Sequence, residues 1–205
     1  MTVDDLVGFE KDIEYLYKLG KIQAPVHLRG SEDLAYETNL INIFKDNFAS
    51  GDYVFGYWGQ HIHALLCGIP KEELKQRILD GFSISLMFPK YNFYCSGIVG
   101  SLCGVATGVA YELKNSGSSS KVLHFCGDMA SYTGAFKESI EYACNFDLPI
   151  KFIVEDNGVS VTTDTKKTWN YEDIWFKNSK YMSKIIYYKY INKYSHSGIQ
   201  KKVAF

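Results

Sequence analysis

The stretch VLHFCGDMASYTGAFKESIEYACNFDLPIKFIVEDNG, residues 122–158, decides the fold class. Residues 122–126 are a short apolar run with Gly127 and Asp128 at its end, and residues 135–146 repeat apolar side chains at helical spacing through Phe136, Ile140, Ala143 and Cys144. Pro149 then opens a second, buried strand over residues 150–154. A strand, a helix and a strand joined at this crossover length predict two parallel neighbours in one sheet. Parallel neighbours carry their carboxyl ends to the same edge. Asp128 and Asn157 are therefore expected at one crevice of an open, mainly parallel α/β sheet flanked by helices.

The residue types at that edge point to a chemistry. Mg²⁺ takes oxygen ligands and usually keeps only one or two protein side chains, sharing the rest of its shell with phosphates. Asp128 and Asn157 meet that demand. Gly127 and Gly158 beside them let backbone approach a diphosphate, and a helix beginning near Thr133 turns amide donors toward the same edge. The pairs Gly-Asp and Asn-Gly are also ordinary turn pairs, and spacing alone leaves both readings open.

Outward from this core, residues 4–19 place Leu6, Phe9, Ile13, Leu16 and Tyr17 on one helical face, with Gly20 as the stop. Gly30 and Ser31 are expected to open a second helix, with Glu32 and Asp33 in its first turn, ending at Gly51 and Asp52. An aromatic run over residues 53–58 precedes Gly59, His61 and His63, and Pro70 starts a charged helix that stops near Gly81. Residues 91–111 carry no charge, and Gly100, Gly104 and Gly108 recur every fourth position, which predicts one buried, closely packed helix. The stretch holds too many tyrosines, serines and glycines to read as a membrane span. Residues 114–121 form a solvated loop, and residues 185–190 a short strand before a polar, basic tail, residues 191–205, read either as a solvated end or as docking on a second chain. The whole, residues 1–205, reads as a single domain with 164–205 as a short extension.

Composition narrows the function. The chain has 205 residues, with 22 Lys+Arg against 23 Asp+Glu for a formal charge of −1, so no net field exists to hold nucleic acid or an anionic membrane. An aromatic content of 16% implies a thick core or a large interface. The five cysteines are odd in number and lack any Cys-x-x-Cys pair, and residues 1–20 lack a cationic start followed by an apolar block; both features lead us to expect a reduced, cytoplasmic protein.

The segment over residues 127–158 resembles the thiamine diphosphate signature of transketolases and 2-oxo acid dehydrogenases, which begins Gly-Asp-Gly and ends Asn-Asn. The likeness is closest to the alpha subunit of the decarboxylating component of 2-oxo acid dehydrogenases. It extends through GIVGSLCGVATGVAYEL (97–113), WGQHIHALLCGIP (58–70) and HLRGSED (27–33), covering residues 5 to about 165. The resemblance implies the diphosphate-binding module of the thiamine diphosphate fold, with Mg²⁺ held by Asp128, the Asn157 side chain and the Val159 carbonyl. Gly127, Met129 and Ala130 would line the diphosphate. Trp58, with His61 and His63 as candidate catalytic groups, matches a motif beside the cofactor, and Cys95, Ser96 and Ile98 match the stretch near its rings. On the residues alone, alternating histidines fit a polar strand face or a helix turn equally. The implied partners are a pyrimidine-binding beta subunit in an α2β2 assembly, a 2-oxo acid and a lipoyl acyltransferase. Transketolase-like carboligation and a non-catalytic assembly role are the alternatives. Three positions depart from the pattern: Met129 replaces Gly, Asp156 replaces the first Asn, and Gly59 replaces an Arg that pairs with the diphosphate. That last loss removes charge-assisted bonds of about 1.5–3 kcal/mol each, unless a cation arrives from elsewhere. Restoring the charge by Gly59→Arg is expected to tighten binding. Family alpha subunits continue well beyond this signature, whereas about forty residues remain here.

Overall fold

The structure, a computed structural model, describes residues 1–194. Five parallel strands and one antiparallel edge strand make a single sheet. β1 (Tyr53–Tyr57), β3 (Phe93–Ser96), β4 (Val122–Gly127), β5 (Ile150–Asp156) and β8 (Ile185–Lys189) run parallel, and β2 (Met87–Phe88) pairs antiparallel with β3. The order across the sheet is β2-β3-β1-β4-β5-β8. A separate two-stranded hairpin, β6 (Val159–Ser160) with β7 (Thr163–Asp164), follows β5.

The expected unit is present. β4 and β5 pair in parallel through six positions, with Gly127 opposite Glu155, and α6 (Gly134–Asn145) crosses between them, capped by the Thr133 hydroxyl on the Phe136 amide. Alternation along the strands divides the core. Leu123, Phe125 and Ile153 face α1 (Val3–Lys18), α2 (Ala35–Asn47), α3 (His61–Leu66) and α4 (Lys71–Arg77). Val122, Cys126, Phe152 and Val154 face α5 (Cys103–Asn115) and α6 on the other side. The segment after residue 164 is built into the sheet, since β8 pairs with β5 over five positions.

Three local expectations are corrected. Residues 91–111 are not one helix: Asn92 takes φ +52° and closes a turn, residues 93–96 extend as β3 beside β1, and the helix begins only at Cys103. Gly100, at φ +81°, lies in the connecting loop, where a helical residue could not stand. Gly104 and Gly108 do share a face of α5, but a Cβ at either meets nothing within 4 Å, so among the described residues the stripe packs against nothing. The second helix starts at Ala35, because Leu34 at φ +60° interrupts the backbone; Ser31 still contributes, its hydroxyl accepting from the Tyr36 amide at 3.0 Å. The helix ends at Asn47. Most of the 191–205 tail lies outside the described residues. Among them, no helix is long and apolar enough to cross a membrane, and all five cysteines are free.

Candidate functional site

β3 lies on one side of β1 and β4 on the other, so the chain leaves these neighbouring strands in opposite directions and a gap opens beyond their carboxyl ends. A crevice of about 220 Å³ occupies that gap. Its walls are Tyr57 and Trp58 at the end of β1, residues 127–130 at the end of β4, Glu155, Asn157 and Val159 around the end of β5, and His27 and Arg29 from the connection between α1 and α2.

Asp128 is the centre of one half. It is 1% exposed, and its Oδ2 has no hydrogen-bond partner among the described residues. Burial pushes its carboxyl up to about 6, against the pull of the Thr165 hydroxyl and the Asn157 backbone N–H. A buried carboxylate oxygen with no donor is a costly arrangement that a cation would relieve. Asn157 sits half-buried opposite, its Oδ1 accepting from the Val159 amide at 3.2 Å, which fixes the turn that brings the Val159 backbone to the rim. Asp156 is otherwise engaged: its Oδ1 accepts from the Gly158 amide at 2.8 Å and its Oδ2 from the Tyr187 hydroxyl. This donor set of one open carboxylate, one amide side chain and a nearby carbonyl suits Mg²⁺ shared with phosphates. Among the described residues no three His, Cys, Asp or Glu side chains converge as an all-protein metal cage would require. Met129 stands where a bare glycine was expected and anchors the loop instead, its sulfur accepting from Trp169 Nε1 at 3.0 Å. Trp169 in turn stacks on Tyr132.

The other half is closed. Glu155 is 1% exposed and carries a full set of partners: His63 Nε2 at 3.0 Å, the Tyr188 hydroxyl at 2.7 Å, the Tyr57 hydroxyl at 3.3 Å and Arg29 Nη1 at 3.5 Å. Burial alone would raise its carboxyl, but His63 and Arg29 outweigh that and hold it at about 2. Arg29 is further placed by the Tyr190 hydroxyl at 2.8 Å and lies over the Tyr57 ring at 4.5 Å. Gly59 explains its own identity. At φ +77°, a Cβ there would meet Arg29 Nε at 2.8 Å and the His27 carbonyl at 3.1 Å, so the Arg29 side chain fills the space beside residue 59. The expectation that Gly59→Arg tightens binding fails on these grounds: the position is strained for any side chain and already faces a cation.

The remaining site candidates divide. Trp58, Gly127, Asp128, Met129, Ala130, Asn157 and Val159 all line the crevice. His61 and His63 do not. They lie on one turn of α3, fully buried, with His61 Nδ1 on Glu10 at 2.9 Å and Nε2 on the Ser83 hydroxyl at 2.8 Å. His63 reaches the crevice only through Glu155. Cys95 is buried in the core under α3, the Ser96 hydroxyl is held by Ser101 at 2.9 Å and by the Ile98 amide at 3.1 Å, and Ile98 is 73% exposed. These three end at the same sheet edge but on the far side of β1 from Asp128. Arg29 and Glu155 are the residues that sequence reasoning passed over. Glu155 had a signal, an acid ending the apolar run IKFIV, since such a charge in a central strand needs paired partners.

The family model for the dehydrogenase E1 component matches residues 4–182. The pyruvate dehydrogenase E1 component subunit alpha of Rickettsia typhi is 26% identical over 184 residues, 84% of this chain and 55% of that protein. The same subunit from Porphyra purpurea is 29% identical over 173 residues, 75% of this chain and 49% of its own. Subunit alpha of the acetoin:2,6-dichlorophenolindophenol oxidoreductase of Cupriavidus necator is 27% identical over 165 residues, 76% and 48% of the two chains. The chain thus spans about half the length of the curated relatives it matches.

Proposed function

Because the chain belongs to the dehydrogenase E1 component family, we propose that it is the alpha subunit of a heteromeric, thiamine diphosphate-dependent enzyme that decarboxylates a 2-oxo acid. The observation that carries this reading is the buried Oδ2 of Asp128, without a hydrogen-bond partner among the described residues, beside Asn157 at the switch point of the sheet. Asp128, Asn157 and the Val159 carbonyl would hold Mg²⁺, and Gly127, Met129 and Ala130 would border the diphosphate. When bound, thiamine diphosphate would supply the carbon nucleophile that decarboxylation of a 2-oxo acid requires. The chain's own contribution is to desolvate the charged end of that cofactor and fix its position. A crevice of about 220 Å³ is small beside the roughly 300–1,000 Å³ of a full ligand site, which leaves the ring end to a second subunit. A pyrimidine-binding beta subunit in an α2β2 assembly fits that need, with a lipoyl acyltransferase as acceptor and the reduced, cytoplasmic setting that five free cysteines support. His61 and His63 enter this reading as positioning residues, His63 by orienting Glu155.

A carboligase-type reaction on the same site is the second reading, supported by the similarity to the acetoin oxidoreductase subunit. The non-catalytic alternative rests on Gly59 and Met129, and the cation beside Gly59 weighs against the first of these. Co-expression with a pyrimidine-binding subunit, followed by calorimetry with thiamine diphosphate and Mg²⁺, tests the proposal. Metal-dependent binding that Asp128→Ala abolishes supports it; binding that survives Asp128→Ala overturns the site.

A further inference from the structure

We propose that Arg29 is the anion-binding cation of this crevice, delivered from the α1–α2 connection to the space beside residue 59. The inference rests on the reading of the crevice as a metal–diphosphate site and gives a role there to a residue to which the resemblance assigns none.

Three observations carry it. Arg29 and a side chain at residue 59 exclude each other, since the Cβ position lies 2.8 Å from Arg29 Nε and the backbone at φ +77° favours glycine. Arg29 is also the one Lys or Arg among the described residues that line the crevice, where Asp128 and Glu155 otherwise supply negative charge. Finally, its guanidinium is held with donors to spare. The side chain is 13% exposed, its one hydrogen bond among the described residues goes to Tyr190, and Glu155 at 3.5 Å neutralises it without a close bond. A guanidinium has five N–H donors in a planar fork, so it can add bonds to a phosphate while keeping these contacts. The Tyr57 ring beneath and Tyr190 beside it fix the plane of that fork before any ligand arrives, which lowers the ordering cost of binding.

The test uses the full chain and Mg²⁺ with inorganic pyrophosphate as probe, read by calorimetry and by the ligand-induced rise in unfolding midpoint. Arg29→Gln is expected to weaken binding about tenfold or more, the loss of one charge-assisted contact. Arg29→Lys should fall between, having charge without the fork, and serves as the readout if the glutamine variant does not fold. Gly59→Arg alone should not tighten binding, whereas Arg29→Gly combined with Gly59→Arg should recover part of the lost affinity by moving the charge into the vacated space. Wild-type affinity in both Arg29→Gln and Arg29→Lys, with binding still abolished by Asp128→Ala, overturns the assignment of Arg29 and leaves the site reading standing. Failure of the unaltered chain to bind the metal–pyrophosphate pair overturns both.

Discussion

Asp128 and Glu155 leave adjacent strands at the same sheet edge, are equally buried, and differ in almost everything else. Glu155 accepts from three side chains and faces a fourth, while one oxygen of Asp128 accepts from none among the described residues. The same contrast separates their protonation, about 2 against about 6. Among the described residues, Glu155 is compensated by side chains of the fold, while the open oxygen of Asp128 bears a desolvation cost that a bound cation would relieve. One half of the crevice is thus structural and the other is receptive.

The largest break in that comparison is Glu155→Ala. It strands Arg29 in the interior and should cost about 3–5 kcal/mol in urea unfolding, the usual penalty for removing one member of a buried pair. Next comes His124 in β4, a closed position on the apolar face whose ring meets Cys103 Sγ at 3.2 Å. Burial holds this imidazole at about 4 against an ordinary 6.5, so the unfolded chain takes up a proton that the folded chain refuses. Stability should be indifferent to His124 above pH 6.5 and fall by roughly 1.4 kcal/mol per pH unit between 6.5 and 4. Thermal unfolding of His124→Gln across that window should show a flatter profile than the parent; an identical profile would remove His124 as the cause.

Asp128→Asn sharpens the contrast because its sign is reversed. Neutralising an uncompensated buried carboxylate should raise the stability of the unliganded chain by about 1–3 kcal/mol while removing any Mg²⁺-dependent gain. Destabilisation comparable to that of Glu155→Ala would show that both halves are structural and dissolve the distinction. The smallest effect belongs to α5, whose glycine face is a second surface left uncovered by the described residues. Gly104→Ala and Gly108→Ala place a methyl where nothing lies within 4 Å, so each should stabilise the isolated chain by about 0.5–1 kcal/mol through helix propensity. A loss in either would mean that the face is already packed.

Legibility followed how local each signal was. The β4–α6–β5 unit was readable because Leu123, Phe125, Phe136 and Ile153 announce their periods within a few residues and the crossover length admits one handed solution. Residues 91–111 were misread because absence of charge is common to a buried strand, a glycine loop and a helix, and only pairing with β1 selects the strand. His61 and His63 of α3 are candidate catalytic groups by their match to the motif, yet residue spacing carries no information about what Glu10 and Ser83 bring from elsewhere.

Sequence alone therefore determined the parallel strand–helix–strand core, the meeting of Asp128 with Asn157, and the family likeness, since each depends on residues within one unit or one motif. Tertiary structure alone decided that Arg29 stands beside Gly59, that Glu155 gathers His63, Tyr57 and Tyr188, and that His61 is closed off. The physical reason is separation along the chain. Arg29 and Gly59 are thirty positions apart, and Glu155 lies about a hundred from His63 and Tyr57. No local period encodes which distant side chain will fill a given space, because that choice is made by packing and charge compensation only once the sheet has formed.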